Sequence, residues 1–372
     1  MHLKQIHITN FCNLNSESID FHPVLNVIVG NNGMGKTNVL DAINYLCLTR
    51  SNFSRLDKYN ITNGADFLRL EGTFTIGDKD NNVVIKLKQG AKKLVEKNGN
   101  AYERLADHIG KFPLVMIAPK DNVQILESSA ERRKLLDKVL SQTNNNYLSD
   151  LISYNKLLDQ RNAVLKSGTD MKSLRILLST YDEKMQGFAE NIFKIRTEFI
   201  EELKPIFSEL YGKISDQKEN AHIHYLSKLQ QKTFLELCKD NFEKDFYLKR
   251  SNSGIHKDDI VFEINDVSVK NFASQGQLKS LVLAFKLAQF VFLKSKTMTT
   301  PIILLDDVFD KLDRYRVKYL VHLLFEAKLG QVFITDTDEQ RIIETFKDSG
   351  FGYKMIQMES GRCISQKEVK LN

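Results

Sequence analysis

The chain has 372 residues, 42% hydrophobic and 27% charged, with a formal net charge of +6. That length exceeds one ordinary domain and that composition can bury a core, which excludes a disordered chain and makes a main domain with a large insertion the natural organisation. The mild excess of base is compatible with a polyanionic partner without requiring one, and the four cysteines, at 12, 47, 238 and 363, lack metal-ligand spacing and read as reduced thiols of a cytosolic protein.

In chain order, Met1-His2-Leu3-Lys4-Gln5-Ile6 leads straight into alternating strand-like residues, without the apolar core of a signal peptide, so a cytoplasmic location is expected. Strands are predicted at Ile6-His7-Ile8, Leu25–Val29, Phe67–Ile76 and 83–87, divided by clusters such as Gly77-Asp78-Lys79-Asp80-Asn81-Asn82. Between about 122 and 250 there is a single proline, Pro205, and apolar residues recur at helical spacing, as in Phe188, Ile192, Ile195 and Phe199. That region is predicted to be a helical insertion. Short strands follow around Ile260–Ile264, then an apolar helix over 280–293. Lys286 and Gln289 interrupt this helix, which falls short of the roughly 18 apolar residues of a membrane span. A buried strand at 301–305, another helix, a strand at 331–335 and a hairpin-like tail complete the chain.

The strongest chemical signal is Gly30-Asn31-Asn32-Gly33-Met34-Gly35-Lys36-Thr37, which fits the P-loop pattern G-x-x-x-x-G-K-[ST] at every position. Glycines let the backbone N–H groups wrap phosphate oxygens, the helix N-terminus adds a positive dipole, and Lys36 supplies a point charge. Thr37 is predicted to hold Mg²⁺. A glycine-rich turn that binds nothing is the alternative, and the preceding apolar strand and following helical face argue against it. Ile302-Ile303-Leu304-Leu305-Asp306-Asp307 has the form of a Walker B strand. Asp306 is placed to join the Mg²⁺ shell and Asp307 to orient or deprotonate a water.

Ser274-Gln275-Gly276-Gln277-Leu278-Lys279, opening the apolar helix shortly before Walker B, resembles the signature of ABC-type ATPases. The resemblance implies that Ser274, Gln275, Gly276 and Gln277 cap the γ-phosphate of ATP held by a second subunit, so the site closes only on dimerisation. A plain helix cap by Ser274 is the other reading. Asp310-Lys311-Leu312-Asp313 resembles the D-loop of the same class. The fold class implied is α/β: a P-loop ABC-type ATPase head from 1–120 plus 251–372, with a helical arm inserted at 121–250.

Lys36 and Ser274 are 274 − 36 = 238 residues apart, too few for the long coiled coils of condensin and cohesin ATPases. Over essentially its whole length the chain resembles the RecF family. The resemblance rests on Ile6-His7-Ile8-Thr9-Asn10-Phe11-Cys12-Asn13-Leu14, on the P-loop continuing into Asn38-Val39-Leu40-Asp41-Ala42, and on Pro119-Lys120-Asp121 leading to Glu131-Arg132-Arg133-Lys134. It continues in Gln160-Arg161-Asn162-Ala163 and Gly254-Ile255-His256-Lys257-Asp258-Asp259. It implies a cytosolic protein that dimerises on ATP, binds DNA near single-strand to double-strand boundaries and works with RecO and RecR partners. Cys12 stands where the family usually has arginine or lysine, Lys120 where it has an acid, and Asp307 where ABC-type heads carry glutamate, which implies slow hydrolysis. Thr337 stands where transporter heads have their switch histidine.

Arg132 and Arg133 are candidate DNA contacts, with folding contacts to the head as the competing role for Arg133. The lysines at 86, 88, 92, 93 and 97 are read as a solvated face, and His256 as either a nucleotide-side or a structural histidine. Two other functional classes are carried. A transporter ATPase would show a switch histidine and a transporter-like insertion, neither of which is found. A non-hydrolysing module that uses ATP only to dimerise is opposed by the intact Asp306 and Asp307.

Overall fold

Four strands in the computed structural model, Leu25–Val29, Val332–Asp336, Ile302–Leu305 and Leu114–Ile117, run parallel and side by side in that order. Their residues are buried almost without exception, as near-continuous apolar runs require when both faces of a sheet are covered. The tail hairpin, Tyr353–Glu359 and Arg362–Val369, extends this sheet from the Leu25–Val29 edge. The structure describes residues 1–54, 56–168, 170–309, 314–326, 330–347 and 352–369.

A second six-stranded sheet, wholly antiparallel, runs in the order Leu14–Asp20, His2–Phe11, Phe67–Ile76, Lys79–Lys88, Leu94–Lys97, Asn100–Ala101. Burial along Phe67–Ile76 alternates, with one face on the core and the other toward solvent. Helix Lys36–Leu48 joins Ile6, Ile8, Leu68 and Leu70 of this sheet and Ile28 and Phe333 of the parallel one in a single apolar core. Helix Gln275–Lys296 is buried over most of 280–293. Lys286, which interrupts its apolar pattern, is satisfied there by an ion pair with Asp121 at 2.9 Å, and the other oxygen of Asp121 accepts from Ala118 N. A buried charge needs such a partner.

Two compact units emerge. The first comprises Met1–Asn122, Ile214–Asp216 and Lys279–Asn372, the second Val123–Lys213 and Gln217–Leu278. This division differs from the ranges read from sequence. Residues 251–278 fall in the second unit, because Asp259–Ile264 pairs with Ala221–Leu226 and Val267–Ser268 in a three-stranded sheet. The insertion is therefore not purely helical. Its helices start on clear caps, Ser128 for Ser129–Thr143 and Asn144 for Asn145–Leu165. Along Met171–Ile214 the buried stripe runs through Met185, Ala189, Ile192, Arg196, Phe199 and Leu203, so Arg196 occupies the inward position that apolar spacing assigned to Ile195.

Candidate nucleotide site

The P-loop links the carboxyl end of strand Leu25–Val29 to helix Lys36–Leu48, whose N-cap is Gly35 with φ 101. Asn31, Asn32 and Gly33 are exposed and Met34 half-buried, while Gly35 and Lys36 are buried. Lys36 is only 4% exposed, and its ammonium donates to the carbonyls of Gly30 at 2.8 Å and Asn31 at 3.1 Å. The lysine thus folds back across its own loop. Asn13 braces the outside, its Nδ2 donating to Gly33 O at 3.2 Å.

Opposite, strand Ile302–Leu305 delivers Asp306 to the same end of the sheet, one strand removed from the P-loop. That end of a parallel sheet, outside the strands' carboxyl termini, is where open α/β folds place ligands. The hydroxyl of Thr37 donates to Asp306 Oδ1 at 2.9 Å, and so does that of Thr335 from the intervening strand. Thr335 Oγ1 also accepts from the backbone N–H of Asp307 at 2.9 Å. Asp307 adopts φ 46, a left-handed conformation uncommon for a residue with a Cβ, and the Thr335 contact fixes this turn. Burial raises the Asp306 pKa from its ordinary value and nearby Asp307 adds to this, while the Thr335 and Thr37 hydroxyls and Lys36 oppose it. A buried carboxylate in contact with the P-loop hydroxyl is a hard-oxygen donor set that fits Mg²⁺.

Thr335 was not singled out in the sequence. Its only signal there is a hydroxyl-bearing β-branched residue at the inner end of an apolar strand. Thr337, two residues on, is exposed. Asp338 caps the following helix Glu339–Phe346, and Asp336 pairs with Arg341 at 2.5 Å. Beside the Asn10–Cys12 end of the first strand lies a cavity of about 470 Å³ bordered by Cys12, Lys58, Tyr59 and Thr62. Burial, with Asp41 nearby, pushes the Cys12 thiol up to about 12, so the residue is a neutral wall rather than a charge.

In the second unit Ser274 and Gln277 form a reciprocal cap. Ser274 N donates to Gln277 Oε1 at 2.8 Å, and Gln277 N donates to Ser274 Oγ at 3.2 Å. Gln277 Nε2 also donates to Glu219, which turns its amide inward, whereas Ser274 and Gln275 are exposed and Gly276 half-buried. The D-loop-like residues 310–313 lie outside the described residues.

Arg132 and Arg133, the candidate DNA contacts, both make contacts inside the second unit. Arg132 is 7% exposed and donates to both carboxylate oxygens of Asp259, at 2.7 and 2.8 Å, and to the carbonyls of Ile125 and Glu127. Its guanidinium is committed inside the unit. Arg133 is half-buried and donates to Asp258 O, and burial lowers its pKa. His256 is held between Tyr154 OH at 2.8 Å and Ser251 O at 3.2 Å, and burial pushes its pKa down to about 3, a neutral structural imidazole. Of the lysines at 86–97, Lys93 donates to Tyr45, Thr49 O and Asp57, Lys86 pairs with Glu96 and Lys97 lies over the Phe112 ring. Lys88 and Lys92 remain exposed.

Residues 2–360 match the family model of the RecF/RecN/SMC N terminal domain. The chain is 42% identical to the DNA replication and repair protein RecF of Flavobacterium johnsoniae, over 96% of this chain and all of that one. It is 40% identical to the Bacteroides fragilis protein of the same name over the full length of both. Among solved structures it is similar to the recombination mediator RecF with ATP in the RecFOR pathway, with 28% identity, a TM-score of 0.86, and coverage of 99% of this chain and 97% of that one. An Smc head bound to the C-winged helix domain of ScpA shares 16% identity at a TM-score of 0.59, a likeness of fold alone.

Proposed function

Because the chain belongs to the RecF family, we propose that it binds ATP with Mg²⁺ at the P-loop, dimerises on doing so, and in that state binds DNA at gaps and single-strand to double-strand junctions, in concert with RecO- and RecR-like proteins in the cytoplasm. The observation that carries this reading is the meeting of Thr37, Asp306 and Thr335 beside the glycine loop. Residues 30–37 supply backbone N–H groups and the Lys36 ammonium to the phosphates. Thr37 and Asp306 are the groups that would hold Mg²⁺, which supplies charge neutralisation on the phosphates when bound. Asp307 orients the attacking water. Being shorter than glutamate, and held in a left-handed turn, it supports slow rather than rapid hydrolysis. The cavity beside Cys12 adjoins the turn whose Asn13 grips Gly33, and is the place this geometry offers for the nucleotide base.

The exposed helix start at Ser274 and Gln275 supports a contact with nucleotide held by a second copy, since the dipole at a helix N-terminus attracts phosphate. With Arg132 committed internally, the DNA surface is proposed to use other cations, of which Lys88 and Lys92 are exposed examples. The test is Lys36→Ala, titrated with a fluorescent ATP analogue alongside the parent. Affinity should fall while the thermal midpoint stays near the parental value, and undiminished affinity would remove the P-loop assignment.

A further inference from the structure

A turn from the far end of the chain touches the P-loop. Strands Tyr353–Glu359 and Arg362–Val369 are joined by Ser360 and Gly361, at φ 48 and 77, a two-residue hairpin turn with both residues left-handed. Gly361 N donates to Met34 O at 3.1 Å and Ser360 N to Met34 Sδ at 3.0 Å. Asn13 holds the loop from another side, its Nδ2 donating to Gly33 O at 3.2 Å and its Oδ1 accepting from Asn38 Nδ2 at 2.7 Å. The two holds also meet each other. A Cβ added to Gly361 would lie 2.2 Å from Asn13 O, and one added to Gly30 would lie 2.4 Å from Met358 O. Both obstacles are backbone oxygens, which no side-chain rotation can clear.

We propose that the Ser360–Gly361 turn and Asn13 form a clasp that keeps the P-loop backbone in its phosphate-binding shape before nucleotide arrives, with Gly361, Asn13 and Met34 as positioning residues. The inference rests on the reading of the P-loop as an ATP site. An exposed loop rich in glycine loses much conformational freedom when it orders around a ligand, and ordering it beforehand removes that cost from binding. Within the loop itself the structure provides a long Met34 N to Asn31 O bond of 3.4 Å and the two bonds from Lys36, an ammonium that phosphates would draw toward themselves. The clasp contacts are made to Gly33 and Met34 from outside, and nucleotide need not break them.

The Asn98–Gly99 turn provides a matched control. Its φ values are 52 and 80, close to those of Ser360 and Gly361, and a Cβ on Gly99 meets nothing within 4 Å. Gly361→Ala and Gly99→Ala therefore carry similar backbone strain, and only the first pushes on Asn13. Dissociation constants for a fluorescent ATP analogue would be measured on the full chain for the parent, both glycine variants and Asn13→Ala, with thermal midpoints recorded for each. Gly361→Ala and Asn13→Ala should weaken binding by about tenfold and Gly99→Ala by less than about twofold, a separation that general destabilisation does not produce. A folded Gly361→Ala chain with parental affinity would overturn the clasp. If that variant fails to fold, Asn13→Ala decides by the same criterion. Failure of the parent to bind the analogue would instead refute the ATP reading beneath it.

Discussion

Replacing Thr335 by valine keeps the side chain's shape and deletes one hydroxyl. That hydroxyl donates to Asp306 Oδ1 and accepts from Asp307 N, each at 2.9 Å, in a fully buried position. A hydrogen bond to a charged group contributes about 1.5–3 kcal/mol, and a stranded buried N–H costs about 1–3 kcal/mol. Local relaxation recovers part of this, so the structure predicts a net loss of about 3 kcal/mol, or roughly 10 °C in the thermal midpoint of a unit this size. The chemistry should suffer further. Burial already raises the Asp306 pKa from its ordinary value, and losing one of the two hydroxyls that stabilise its anion moves it higher still. On the proposed reading, any rise of ATP turnover with pH should shift to higher pH, and turnover should fall more than affinity for ATP. Calorimetry and a pH–rate profile of parent, Thr335→Val and Thr335→Ser provide the assay, with serine restoring the hydroxyl and much of the parental profile. A valine variant with parental midpoint, turnover and pH profile would refute the assigned role of Thr335.

Three further outcomes follow from particular contacts. Arg132→Ala should destabilise the second unit by about 1.5–3 kcal/mol, since half-buried Asp259 is left without its bidentate partner; chemical denaturation checks this, and a stable variant with weakened DNA binding would return Arg132 to the interface. His108 donates from Nε2 to Leu46 O, its Nδ1 has no partner, and burial pushes its pKa from 6.5 down to about 4, so the folded state resists protonation. Its contribution is fully present above about pH 6.5 and declines as pH falls, costing about 2 kcal/mol by about pH 5; His108→Gln should flatten the loss of stability between about pH 7 and pH 5, and an unchanged slope would contradict the buried neutral imidazole. Ser274→Arg should leave ATP binding by the single chain near the parental value while preventing dimerisation, read by light scattering with and without ATP; normal dimerisation would reduce that segment to a helix cap.

Sequence patterning disclosed the elements of the candidate site and much of the fold because the relevant signals are local. Residues 30–37 carry their own chemistry, and apolar runs such as Ile302–Leu305 mark buried parallel strands without reference to distant residues. Contacts formed across the chain were not legible. Thr335 is separated from Asp306 by 29 positions and Gly361 from Met34 by 327 (361 − 34), and neither has a motif of its own. In the arm the sequence left open several roles that the tertiary contacts narrow. Arg132, Arg161 and His256, part of the patterns that carried the family resemblance, are internal ties: Arg161 donates to Asp182, Asp245 and Ser251, and Arg132 to Asp259. Basic residues in a helix are assigned to solvent or to phosphate by default, and only tertiary structure shows that acidic partners enclose them. The strand Ala221–Leu226 was missed because it is short and lies amid helices, although its period-two burial is plain once it pairs with Asp259–Ile264.

The central claim is that ATP held by the P-loop gates DNA binding. Its most direct test measures the affinity of the parent and of Lys36→Ala for gapped, duplex and single-stranded DNA with ATP, with ADP and without nucleotide, at one fixed salt concentration. The account predicts that the parent binds gapped DNA at least about tenfold more tightly with ATP than in the other two states, and that Lys36→Ala shows no such difference. Equal affinity of the parent for gapped DNA in all three nucleotide conditions would contradict it.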